Sequence, residues 1–125
     1  MSGRTLTTYN LHLESRENDA LRVSQLNEVL SDAVTPKGEG LTLIAGDLNL
    51  NAAEGEAAAA LKQAGFLDVL GLPNVRTRPA RGVFDRGRSI DWIFSRGPIR
   101  VSQSQVHRSV SASDHYPLSV TLAFA

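Results

Sequence analysis

The sequence predicts an α/β domain, with one mixed sheet of about five strands and two helices on one of its faces. Three observations carry that expectation. Two segments space their apolar residues as helices do, five read as strands, and the order is strand, helix, strand, helix, then three strands. A chain of 125 residues is a single domain by length, with a core of modest size.

In "TLTTYNLHL" (5–13), Tyr9, Leu11 and Leu13 alternate with Thr8, Asn10 and His12, which predicts a strand. From Asn18 to about Ala33, Leu21, Leu26, Val29, Leu30 and Ala33 recur at helical spacing, and Pro36 with Gly38 closes that element. "LTLIAGDL" (41–48) is apolar on both faces, as in a strand buried on both sides. Asn51 and Glu54 resemble a capping box, opening an alanine-rich helix that Gly65 ends. Residues 71–89 hold glycines, prolines and five arginines (Arg76, Arg78, Arg81, Arg86, Arg88) and read as a loop. "SIDWIFS", "IRVSQSQVHR" and "YPLSVTLAF" supply the last three strands, the first with Ile90, Trp92 and Phe94 on one face and Asp91 on the other. Two helices cover one face of such a sheet, so the second face of the 41–48 strand lacks a partner in this chain.

Composition narrows the function classes. Thirteen basic and thirteen acidic side chains cancel, so no global field draws the chain to nucleic acid or anionic lipid. A phosphate ligand must then be held by local groups. The absence of cysteine excludes disulfides, thiolate metal sites and a cysteine nucleophile. No apolar run is long enough to span a membrane and no signal peptide is evident, so the expected compartment is the cytoplasm.

Three polar islands interrupt the apolar pattern. In "IAGDLNLN" (44–51), alternation puts Asp47 and Asn49 on one side at a strand end. A carboxylate there can accept a proton from water, and a carboxamide can donate to a phosphoryl oxygen. Gly, Asp and Asn are equally the residues of a plain turn. In "SASDHYPLSV", Asp114 and His115 precede an apolar strand. A protonated imidazole there stabilises negative charge on phosphorus, while a polar turn explains the same residues structurally. Asp91, inside "SIDWIF", is costly to bury unpaired; His115 or Arg88 are its candidate partners. His12 shares the polar face of the first strand with Asn10. One or two loop arginines, Arg78 and Arg88 among them, could clamp a phosphate.

Together "NLHLES", the Arg22-Gln25-Leu26 helix, "GDLN", "SIDWIF" and "SDHYPL", in this order, resemble the endonuclease/exonuclease/phosphatase family from about Leu6 to the last strand. The resemblance implies half of a DNase I-like four-layer α/β sandwich and metal-dependent hydrolysis of phosphoester bonds by in-line attack of water. By the same resemblance Asp47 activates or positions the water, and Asn49 holds the scissile phosphate. His115 stabilises the transition state, Asp91 pairs with it, and His12 contacts phosphate. Asp114, with Asp47, is implied at a Mg²⁺ or Mn²⁺ site. The substrate is a phosphoester, with nucleic acid among the candidates.

The match departs from the family in one respect. It is expected to cover only the carboxy-terminal half, with no room expected before Arg4 for the metal-holding glutamate of the other half. The unpartnered sheet face is then expected to meet the amino-terminal half or a second copy in a homodimer; hydrolysis is expected to need one of them, and a metal to be held only weakly without that glutamate. The alternative is a catalytically inactive truncated module that dimerises or binds phosphate compounds or a protein.

Overall fold

The computed structural model describes residues 4–33, 40–51, 54–71 and 76–125. Its elements run β1 (Leu6–His12), α1 (Asp19–Ala33), β2 (Leu41–Asp47), α2 (Glu56–Gln63), β3 (Leu67–Asp68), β4 (Asp91–Arg96), β5 (Ile99–Val106) and β6 (Leu118–Phe124). A mixed four-stranded sheet has the order β1-β2-β4-β3, with β1 and β2 parallel and the other pairs antiparallel. This is the α/β architecture expected, with one rearrangement. Among the described residues β5 and β6 pair only with each other, as a separate two-stranded sheet, and the short β3 takes the edge beside β4. Physical reasons lie in both elements. Residues Arg100 to Gln103 are all exposed, so β5 offers no apolar face to a large sheet. β3 is only two residues long, too short to leave a periodic trace.

Both helices lie on one face. Leu26 and Leu30 from α1 join Ala57, Ala58 and Leu61 from α2 against Ile44, Trp92 and Phe94 of the sheet, with Leu13, Leu48, Leu50 and Phe66 completing the core. The register aligns Tyr9 with Ile44 and Ile44 with Phe94, so the alternation read in each strand assembles one apolar face. On the opposite face, Thr8, Asn10, Leu43, Ala45 and Ile93 line an open groove of about 450 Å³, with Tyr116 and Leu118 at its edge. Among the described residues both helices pack on the other side of β2, and on this side its Leu43 and Ala45 are half-buried.

The helix boundaries show local and distant control. Asn18 caps α1, its Oδ1 accepting the Leu21 N–H at 3.1 Å. Pro36 and Gly38, the expected stop, lie outside the described residues. The expected capping box at Asn51 and Glu54 does not form: α2 opens at Glu56, and no side chain of its own N-cap, Gly55, bonds it. Instead Asp19 Oδ2 accepts the Glu56 N–H at 2.6 Å and the Ala57 N–H at 3.4 Å. The first residue of one helix thus caps the next. Asn51 turns its Oδ1 to the Ser89 N–H. The expected end holds: Gly65 has φ +85°, donates to Lys62 O, and lets Phe66 N–H reach Leu61 O, a Schellman closure.

Residues 76–88 are more ordered than a loop. Bridges between Arg78 and Arg88 and between Gly82 and Asp85 fold them into a narrow hairpin tipped by the exposed Val83 and Phe84.

Candidate active site

The strand register builds the site. His12 stands opposite Asp47, and Asp47 opposite Asp91, so three titratable side chains form a row across β1, β2 and β4. The row lies on the open face, at the carboxyl ends of the parallel pair, where open α/β sheets form their crevices. Gly46 makes this end possible. Its φ is +131°, and a Cβ there would stand 2.1 Å from Leu11 O, so β1 approaches the strand too closely for any side chain.

His115 enters the row from the segment ahead of β6. Its Nδ1 lies 2.8 Å from Asp91 Oδ2 and its Nε2 3.7 Å from Asp47 Oδ2. His12 Nε2 is 3.5 Å from the same Asp47 oxygen. An ionised carboxylate only accepts, so the Asp91 bond puts a proton on Nδ1 and turns Nε2 toward Asp47. The side chain of His12 is 73% exposed, whereas those of Asp47 and Asp91 are 19% and 14% exposed. Burial raises the Asp47 pKa above the ordinary aspartate value, and the Asp91 charge adds to it. The Asn49 backbone N–H, His115 and His12 act in the opposite direction.

Asn49 is adjacent but is not placed there by alternation. β2 ends at Asp47, and Asn49 adopts a left-handed φ of 52°, its N–H donating to Asp47 Oδ1 at 3.2 Å. Its Nδ2 donates to Leu13 O at 2.8 Å, tying the exit of β1 to the exit of β2. The "GDLN" island is thus a turn that also borders the candidate site.

Other expected positions fall elsewhere. Arg78 is buried and gives both guanidinium nitrogens to Asp85, at 2.8 and 3.2 Å. That guanidinium holds the Asp85 carboxyl well below the usual carboxylate range. It braces the hairpin and does not reach the row. Asp114 pairs with Arg81 at 2.7 Å and stays largely exposed. The described His, Asp and Glu residues able to share a cation are Asp47, Asp91 and His115, with ligand atoms within 4.8 Å of one another. Asp114 is not in that group. Arg88 is exposed on the hairpin, its backbone paired with Arg78. Asp91 bonds His115, not Arg88.

Two participants carry no sequence signal of their own. Arg81 occupies Asp114, and the buried Thr77 bonds the backbone at Asp91. An arginine-rich loop conceals both, because their partners are more than ten residues away. No helix among the described residues is long and apolar enough to cross a membrane.

Comparison with known proteins gives the site its context. The chain resembles an endonuclease/exonuclease/phosphatase family protein from Leptotrichia buccalis, at 20% identity and a TM-score of 0.74, over 99% of this chain and 51% of the other. It resembles D. rerio TDP2 complexed with single strand DNA product, at 22% identity and a TM-score of 0.68, over 93% and 55%. A third likeness is to Bacteroides thetaiotaomicron mannosyl-6-phosphatase, at 22% identity and a TM-score of 0.63, over 94% and 51%. The chain spans about half the length of these structures. No curated protein matches it. The sequence pattern of the Endonuclease/Exonuclease/phosphatase family matches residues 7–115, which takes in β1, the Asp47 turn, Asp91 and His115. The chain belongs to that family.

Proposed function

We propose that this chain carries the carboxy-terminal part of a site that hydrolyses phosphoester bonds by attack of water on phosphorus. The observation that carries the reading is the row His12, Asp47 and Asp91 on an open sheet face, closed by His115 bonded to Asp91 at 2.8 Å. Asp47 orients the water and takes its proton, a role suited to a carboxylate whose pKa burial raises above the ordinary aspartate value. Asp91 fixes the His115 ring, and His115 offers its second nitrogen to charge developing on the phosphoryl oxygens. His12 and Asn49 contact the phosphate. With Arg78 committed to Asp85, Arg88 is the expected arginine left to meet an anionic substrate.

The donor set fits a loosely held Mg²⁺ or Mn²⁺. Such hard cations need one or two carboxylates, with water and substrate phosphate supplying the rest. Asp91 is engaged by His115, so Asp47 is the principal oxygen donor, and Asp114 would join only on leaving Arg81. When bound, the metal neutralises charge on the phosphate.

The open groove is the surface we expect a further layer to cover, either the rest of a family domain or a second copy of this chain. Phosphodiester substrates, nucleic acid among them, and phosphomonoesters both remain within the reading. The test is release of nitrophenol from bis(p-nitrophenyl) phosphate and from p-nitrophenyl phosphate by the 125-residue chain. Turnover is expected with Mn²⁺ or Mg²⁺ and is expected to disappear in EDTA. Folded protein with no turnover above buffer would favour the non-catalytic module, which the engaged Asp114 already argues for on the metal side.

A further inference from the structure

One uncharged side chain in the arginine-rich hairpin is enclosed beside the buried Arg78. Thr77 is 2% exposed, although the next residue before it, Arg76, is at the surface. Its Oγ1 accepts two successive backbone N–H groups, those of Ile90 and Asp91, each at 3.1 Å. Its own carbonyl accepts the Tyr116 N–H at 2.7 Å, and its N–H donates to Arg88 O at 2.9 Å. A single residue therefore bonds the backbone of Asp91 and the backbone of the residue following His115.

That double grip matters because no strand pairing joins these two places. Asp91 opens β4 in the four-stranded sheet, while His115 precedes β6 in the two-stranded one. Successive N–H groups of a regular strand point to opposite edges. Their convergence on one hydroxyl turns the entry of β4, and so sets the direction in which the Asp91 side chain leaves the sheet. A hydroxyl oxygen has the two lone pairs this needs. We propose that Thr77 is the positioning residue of the His115–Asp91 pair, holding both halves at the 2.8 Å contact. The assignment rests on reading that pair as part of the hydrolytic site. It is not a catalytic residue, since its contacts are with backbone and not with the reacting atoms.

The test compares Thr77→Val, which keeps the shape and removes the acceptor, with Thr77→Ser, which restores it. Ring ¹⁵N resonances of His115 are recorded in the full chain without metal, with far-UV circular dichroism as the check on folding. Wild type is expected to hold its ring proton on Nδ1. Thr77→Val is expected to lose that fixed tautomer and Thr77→Ser to regain it. In turnover, Thr77→Val is expected to lower kcat by about 10- to 100-fold with KM nearly unchanged, the cost of a small misplacement. A folded Thr77→Val that keeps the wild-type tautomer would overturn the proposal. Should Thr77→Val not fold, amide exchange in wild type decides: slow exchange at Asp91 and Tyr116 supports the double grip, and fast exchange at either refutes it. A wild-type ring with no proton fixed on Nδ1 would instead overturn the pair itself, a failure distinct from that of Thr77.

Discussion

Asp47→Asn is expected to remove about 10²- to 10⁴-fold of the turnover and yet to make the folded chain more stable near neutral pH. Asparagine keeps the size of the side chain and the acceptor that Asn49 N–H uses at 3.2 Å, so the turn should survive. It cannot take a proton from water. The stability arm follows from the raised pKa of Asp47, caused first by burial and then by the Asp91 charge. A carboxyl whose folded pKa exceeds its unfolded value prefers to be protonated in the fold. Its ionised form therefore opposes folding, fully above the folded pKa and not at all below the unfolded one. The gain in Asp47→Asn should accordingly be present at pH 7 and fade as the pH falls through the aspartate range. Urea unfolding in EDTA at several pH values checks this. A variant less stable than wild type at pH 7 would contradict the electrostatic account of the row.

Trp92→Ala should be the most damaging core substitution, costing about 3–5 kcal/mol of stability. Trp92 is 1% exposed, packs against Phe94 with ring centroids 6.0 Å apart, and donates its Nε1–H to Leu50 O at 2.7 Å. It stands opposite Gly46 on the helix face, one position from the Asp47–Asp91 pair on the other face. The loss therefore reaches the turn that carries Asn49 as well as the core. Trp92→Phe, which keeps most of the apolar area and strands Leu50 O, should cost about 1–3 kcal/mol. For a domain whose whole stability is on the order of 5–15 kcal/mol, the alanine variant is close to unfolding. Urea midpoints read by circular dichroism measure both, since Trp92 is the one tryptophan of the chain. A cost below about 1 kcal/mol for Trp92→Ala would mean the core is not organised around it.

What was legible in the sequence was whatever repeats with a period or must be paired locally. The alternation of Tyr9, Leu11 and Leu13, the helical spacing through Leu26 and Leu30, and the Gly65 stop all correspond to observed elements. Asp91 was readable as a carboxylate in need of a partner, because an unpaired charge inside "SIDWIF" is costly wherever the chain goes. What was not legible depends on contacts between distant segments. Asp19 caps a helix that begins 37 positions later, and nothing local to Asn51 or Glu54 announces it. Arg78 looked available for phosphate until the hairpin brought Asp85 to it, and Asp114 looked available for a cation until Arg81 reached it. β3 is a two-residue edge, and Leu67 in it is exposed, so it left no pattern. Thr77 matters through two backbone N–H groups more than ten residues away, and a lone threonine among arginines carries no mark of that.

If this row of side chains directs water onto phosphorus, the solvent oxygen ends in the phosphate. Hydrolysis of p-nitrophenyl phosphate in H₂¹⁸O with Mn²⁺, followed by ³¹P NMR of the phosphate and mass spectrometry of the phenol, tests it most directly. One ¹⁸O atom is expected in the phosphate and none in the nitrophenol, with both turnover and label lost in His115→Ala. Label in the phenol, or no release from folded chain that binds Mn²⁺, would contradict it.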